Sequence, residues 1–93
     1  MATYIVLFNW TEQGVKSYKD SPARVDAARE QWGKAGVQVK DIYWTTGQYD
    51  LIAIVEAANG EALAKALLPL GAAGNVRTTS MRAFDQDEFT RLL

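Results

Sequence analysis

The stretch Tyr43 to Glu56, YWTTGQYDLIAIVE, constrains the fold more than any other part of the chain. Aromatic and β-branched residues lead up to Thr46, and the apolar run Leu51 to Val55 follows a short segment around Gly47. Both flanking runs suit a pleated surface, and glycine adopts the positive φ that a tight hairpin turn requires. Leu51 to Val55 has no polar residue at alternate positions, so both of its faces need apolar neighbours. It is therefore expected to be a central strand.

The remaining elements follow from the same kind of reading. Thr3 to Asn9 forms a first strand, again apolar on both faces, with Thr11 placed to cap a short helix from about Glu12 to Tyr18. Ser21 is expected to cap a second helical piece beginning at Pro22. In that piece Val25, Ala28, Trp32 and Ala35 make an apolar stripe, and Gly36 ends it. Val37 to Thr46 reads as a strand with Val37, Val39, Asp41 and Tyr43 on one face and Gln38, Lys40, Ile42 and Trp44 on the other. Its polar start suits an edge. Leu51 to Ala57 is the third strand. Asn59 then caps a helix carrying Leu63, Ala66, Leu67 and Leu70, with a kink or an end expected near Leu68 because Pro69 follows. A loop, Gly71 to Asn75, leads to a fourth strand, Val76 to Phe84, and Asp85 caps a terminal helix, Gln86 to Leu92.

The order βαββαβ, folded with right-handed crossovers, predicts one α+β domain over residues 1–93. Its four-stranded antiparallel sheet has the order 4-1-3-2 with helices on one face, which is the ferredoxin-like fold. Two helices cover one face only, yet the central strands are apolar on both. Leaving roughly ten such side chains wet would forgo on the order of 10 kcal/mol, at about 25 cal/mol per Å². Pairing of two sheet faces in a homodimer, as a dimeric α/β barrel, removes that exposure. Lipid or another ligand on that face would do so as well.

Composition excludes several chemistries. The chain has no cysteine and no histidine, so thiolate and imidazole ligands, Cys nucleophiles and His-based triads are absent. No metal or cofactor is expected. A formal charge of −1 gives no footprint for nucleic acid or for an anionic membrane. No apolar run is long enough for a signal peptide or a membrane span. A cytoplasmic protein is expected.

The topology gathers the end of the first strand, the strand 2–strand 3 hairpin and the start of the fourth strand at one edge of the sheet. Asn9, Trp10, Trp44, Tyr49, Asp50 and Arg77 therefore form the candidate ligand site, an apolar and aromatic surround with a few converging polar groups. Asp50 has two readings: a functional carboxylate, or a tie to the turn amides beside Gly47. Arg77 has two as well, a ligand contact or an ion-pair partner for Asp50. The tryptophans read as core or interface anchors first.

The hairpin with its Gly47-x-Tyr49-Asp50 core resembles the signature of the GYD-domain family. The opening run Tyr4 to Gly14 and the late run Gly74 to Phe84 are similar to it too. The resemblance spans nearly the whole chain and implies a dimeric, ferredoxin-like protein without an assigned catalytic residue. Pro69 departs from the uninterrupted helix expected there. Three functional classes follow. The first is a homodimeric small-molecule-binding module with its ligand near the hairpin edge. In a second, a cofactor-independent enzyme of monooxygenase or isomerase type, Asp50 or Tyr49 moves a proton while Arg77 or Asn9 holds an oxyanion. The third is a structural protein that forms higher oligomers through its terminal helix.

Overall fold

The computed structural model describes all of residues 1–93. In chain order the elements are β1 (Ala2–Trp10), α1 (Glu12–Lys16), a 3-10 turn (Tyr18–Asp20), α2 (Ser21–Lys34), β2 (Gln38–Trp44), β3 (Leu51–Ala57), α3 (Gly60–Ala72), β4 (Val76–Ala83) and α4 (Gln86–Leu92). Side-chain caps start α1, α3 and α4 as their sequences predict. Thr11 Oγ1 accepts from the Gly14 amide, Asn59 Oδ1 from that of Ala62, and Asp85 shares a reciprocal capping box with Glu88. Gly36, at φ +83°, turns the chain out of α2, and the Val37 amide closes the helix end on the Trp32 carbonyl at 2.8 Å.

The strands lie in the order β2-β3-β1-β4, which is 4-1-3-2 read from the other edge, and every neighbouring pair is antiparallel. Residues paired across a ladder share a face, so the register assigns the side chains. Val6, Phe8, Leu51, Ala53, Val55, Ala57 and Val76 turn to the side covered by α2 and α3. There they are buried with Trp32, Val37, Leu63 and Ala66. Full burial of the valine, leucine and phenylalanine side chains among them stabilises by roughly 1.5–3 kcal/mol each. The opposite side carries Ile5 and Leu7 of β1, Ile52 and Ile54 of β3, Tyr43 of β2 and Met81 of β4. Tyr43 is 59% exposed and Met81 43%.

Three local expectations are corrected. In β2 the register shifts between Val39 and Asp41, leaving Lys40 as an extra residue. This bulge puts Val39 with Ile42 and Trp44 on the helix side, and Asp41 with Tyr43 on the open side. Strict alternation had mixed the two sets. In α3 the helix runs through Pro69 to Ala72 instead of ending near Leu68. Leu68 and Pro69 are exposed and Pro69 lies in the closing turns. One lost hydrogen bond there is tolerated near solvent, and the Ala73 amide still reaches the Pro69 carbonyl at 3.1 Å. Ser21, finally, is the first residue of α2 and caps nothing. Its buried hydroxyl accepts the Trp44 indole N–H at 2.9 Å, fastening β2 to the start of the helix.

Candidate functional site

β1 outruns its neighbour. Its pairing with β3 stops at Phe8 and Leu51, whereas pairing with β4 continues through Asn9 and Trp10. The hairpin loop fills the vacated place. The Asp50 amide donates to the Phe8 carbonyl at 2.8 Å, and one Asp50 carboxylate oxygen accepts the Trp10 amide at 2.8 Å. The carboxylate thus stands in for the carbonyl that a longer β3 would offer. Asn9 Nδ2 donates to the Gln48 carbonyl at 2.6 Å, Thr45 Oγ1 to that of Tyr49 at 2.6 Å, and the Thr45 amide to that of Asp50 at 2.8 Å. Gly47, at φ +140°, makes the bend.

The six predicted site residues therefore fall into three groups. Asn9 and Asp50 are joined through the same loop, with the half-buried Tyr49 beside them. Arg77 lies directly across from Asn9 in the β1–β4 ladder. It is exposed and forms no ion pair with Asp50, for the four ion pairs of the chain lie elsewhere. Trp10 and Trp44 belong to the helix side of the sheet. Trp10 packs against the core and Trp44 is held by Ser21. One oxygen of the carboxylate and the amide nitrogen of this edge are engaged by backbone groups and hold the loop in place.

A second clamp, missed from the sequence, adjoins the first. Thr11 Oγ1 donates to the Gly74 carbonyl at 2.6 Å and the Thr11 amide to that of Asn75 at 3.0 Å. Gln13 reaches both the Ala73 carbonyl and Asn75 Oδ1. Gly14 is buried against this loop, and a Cβ on it would collide with the Asn75 carbonyl. The buried glycine within a polar, capped helix start is the sequence signal for that close approach.

Sequence reading also missed a cavity of about 250 Å³ between α2, α3 and the helix side of the sheet. Phe8, Trp10, Val25, Ala28, Trp32, Ile42, Leu51, Ala53 and Ala66 contribute to its wall. The Trp10 indole nitrogen is buried and has no hydrogen-bond partner.

The family described as GYD domain matches residues 4–93. A glutamine synthetase and cystathionine beta-lyase binding protein of Thermus thermophilus is 32% identical over 84 residues, covering 89% of this chain and 88% of that protein. The crystal structure of TTHA0845, also from Thermus thermophilus, superposes with a TM-score of 0.57 at 30% identity, over 91% of this chain and 95% of that one. MtbAldR gives a TM-score of 0.71 at 20% identity, over 91% of this chain. The match spans 52%, about half, of MtbAldR, and shows likeness of fold alone. FFRP-DM1, with a TM-score of 0.62 at 21% identity, shares the fold over 90% of this chain and 100% of its own. No helix of the chain is long and apolar enough to cross a membrane.

Proposed function

The chain belongs to the GYD-domain family, and from that premise we propose that it is a non-catalytic binding module. In this reading two copies pair through the open sheet face and the homodimer docks on another protein. The observation that carries it is the apolar set on that face: Ile5, Leu7, Ile52, Ile54 and Met81, with Tyr43 at the margin. Sheet-to-sheet packing of two such faces encloses them in a dimeric α/β barrel. The partner reading follows the similar Thermus protein, whose name makes it a binding protein for glutamine synthetase and cystathionine beta-lyase. Engagement of Asp50 and Asn9 by the backbone supports binding over acid–base catalysis.

The test has two parts. Sedimentation at micromolar concentration should give a dimer, and a compact monomer there would remove the reading. Purified glutamine synthetase and cystathionine beta-lyase should then be titrated against the labelled dimer. Saturable binding by either supports the docking role, and binding by neither overturns it.

A second reading places a small anionic ligand at the hairpin edge, among Asn9, Tyr49, Asp50 and Arg77 with Trp10 and Trp44 behind. Arg77 favours it, being exposed, free of any ion pair and alongside Asn9. Native mass spectrometry of freshly purified protein distinguishes the two readings by the mass of anything retained.

A further inference from the structure

β4 is an outer strand of the sheet, bonded to β1 alone. Its ladder runs without a register shift from Thr3 opposite Ala83 to Trp10 opposite Val76. Three hydrogen bonds fix which way its backbone points, because the N–H and C=O of one strand residue share a side and successive residues alternate. On the β3 side, Asp50 donates its amide to the Phe8 carbonyl and accepts the Trp10 amide on its carboxylate. On the β4 side, the Thr11 amide reaches the Asn75 carbonyl. Odd-numbered residues of β1 therefore bond to β4, where they meet Arg77, Thr79, Met81 and Ala83. Val76, Thr78, Ser80 and Arg82 are left to turn their amides and carbonyls outward. Thr79, Ser80, Met81 and Arg82 are all exposed, so this stretch lies open to solvent.

We propose that β4 is a self-association strand. Two copies of the chain pair through it, antiparallel about a two-fold axis at Thr79, and join their sheets side by side. One register alone pairs all four outward residues: Val76 with the partner's Arg82 and Thr78 with the partner's Ser80, each reciprocally. It forms about eight hydrogen bonds. The side chains agree with it. Thr79 meets its own copy and Thr78 meets the partner's Ser80, hydroxyl pairs that favour cross-strand contact. Arg77 falls opposite the partner's Met81 and Arg82 opposite the partner's Val76, so no guanidinium faces another. Any other strand would have to supply a matching pattern, whereas a second copy supplies it by symmetry. The new bonds lie in the plane of the sheet, so this contact goes beyond pairing of the open faces and does not require it. β4 offers 8 residues a side, against roughly 20–30 in a standard interface, so association occurs at about 0.1–1 mM rather than at micromolar concentration.

Ile54→Asp isolates this contact, because its charge falls on the open face of β3, away from β4. Sedimentation of that variant at about 0.5 mM should show dimers, and adding Ser80→Pro should return the mass to monomer. The proline deletes an outward amide and spares the ladder to β1, so circular dichroism should find the fold unchanged. Thr78→Pro replaces it if that variant does not fold. The chain has no cysteine, so single cysteines report the register. Under mild oxidation in the Ile54→Asp background, Thr79→Cys should cross-link two copies about tenfold faster than Arg77→Cys. Thr79 meets its copy at about 4.5 Å between Cα atoms, within reach of a disulfide, whereas the two Arg77 positions lie about 14 Å apart. Monomer alone in Ile54→Asp at that concentration, association undiminished by proline in a folded chain, or equal cross-linking at the two positions overturns the proposal. The open-face dimer stands or falls separately, on sedimentation of the unsubstituted protein at micromolar concentration.

Discussion

The two faces of the sheet are built from the same kinds of residue and meet opposite fates. Val55 and Ile54 are neighbours in β3, both aliphatic and β-branched. Val55 is fully buried under the helices, whereas Ile54 is only partly covered on the open side. Alternation along a strand separates them, and the helices decide which side becomes interior. An apolar side chain therefore reports that a face will be covered, but not by what. On one side α2 and α3 supply the cover, and on the other Tyr43 and Met81 stay exposed.

Paired substitutions should break this contrast most sharply. Val55→Asp puts an unpaired charge into the core and should remove most of the marginal stability of a domain this small, roughly 5 kcal/mol or more. Circular dichroism with urea titration should find it unfolded. Ile54→Asp should leave a folded chain, with its effect in sedimentation as a shift from dimer to monomer. If both variants unfold alike, the two faces are not distinct in the way described.

Trp32→Ala sharpens the helix side alone. Trp32 is 4% exposed at the junction of α2 with the core, and its loss should cost about 3–5 kcal/mol, measured as a lower urea midpoint. Self-association measured where the variant remains folded should be unchanged, because the open face is untouched.

At the hairpin edge, where the two faces meet, Asp50→Ala should cost about 1–2 kcal/mol by stranding the Trp10 amide. Asp50→Asn, which keeps an acceptor oxygen, should cost about 1 kcal/mol or less. Thermal melts of the pair separate the carboxylate's structural role from any role of its charge. A ligand or partner lost in Asp50→Asn without loss of stability would support the functional reading of this residue.

The smallest effect belongs to Arg77→Gln, which should change stability by no more than about 0.5 kcal/mol. Reduced partner or anion binding in that variant would place the contact on the Arg77 side of the edge. Unchanged binding would move it elsewhere.

Much of this was legible in the chain. The double-sided apolarity of Thr3 to Asn9 and Leu51 to Ala57 puts both strands in the centre. The capping residues Thr11, Asn59 and Asp85 mark three helix starts, and Gly36 marks a helix end. What escaped shares one cause, namely that it depends on partners distant in sequence. Ser21 looks like a cap until Trp44, 23 residues on, takes its hydroxyl. Asp50 reads in the chain either as a functional carboxylate or as a tie to turn amides, and only the overrun of β1 past β3 shows that the amide it meets is that of Trp10. The cavity is written in alanines, and an alanine in a helix stripe reads as packing whether or not anything fills the space above it. The extra residue at Lys40 is the hardest case, because nothing in the alternation of β2 marks where one position is to be skipped.

That bulge bears on what the margin of the sheet offers to other strands. β2 lies at the margin of the sheet, where a flat strand would offer free amides and carbonyls to any similar strand and invite open-ended growth. With Lys40 inserted the spacing of those groups is broken, and the lysine, in an ion pair with Glu56 at 3.7 Å, adds a charge beside the break. Stacking in the plane of the sheet is discouraged at this margin while the route perpendicular to it stays open. Growth into fibres thereby loses one of the sheet's two margins, whatever its open face meets.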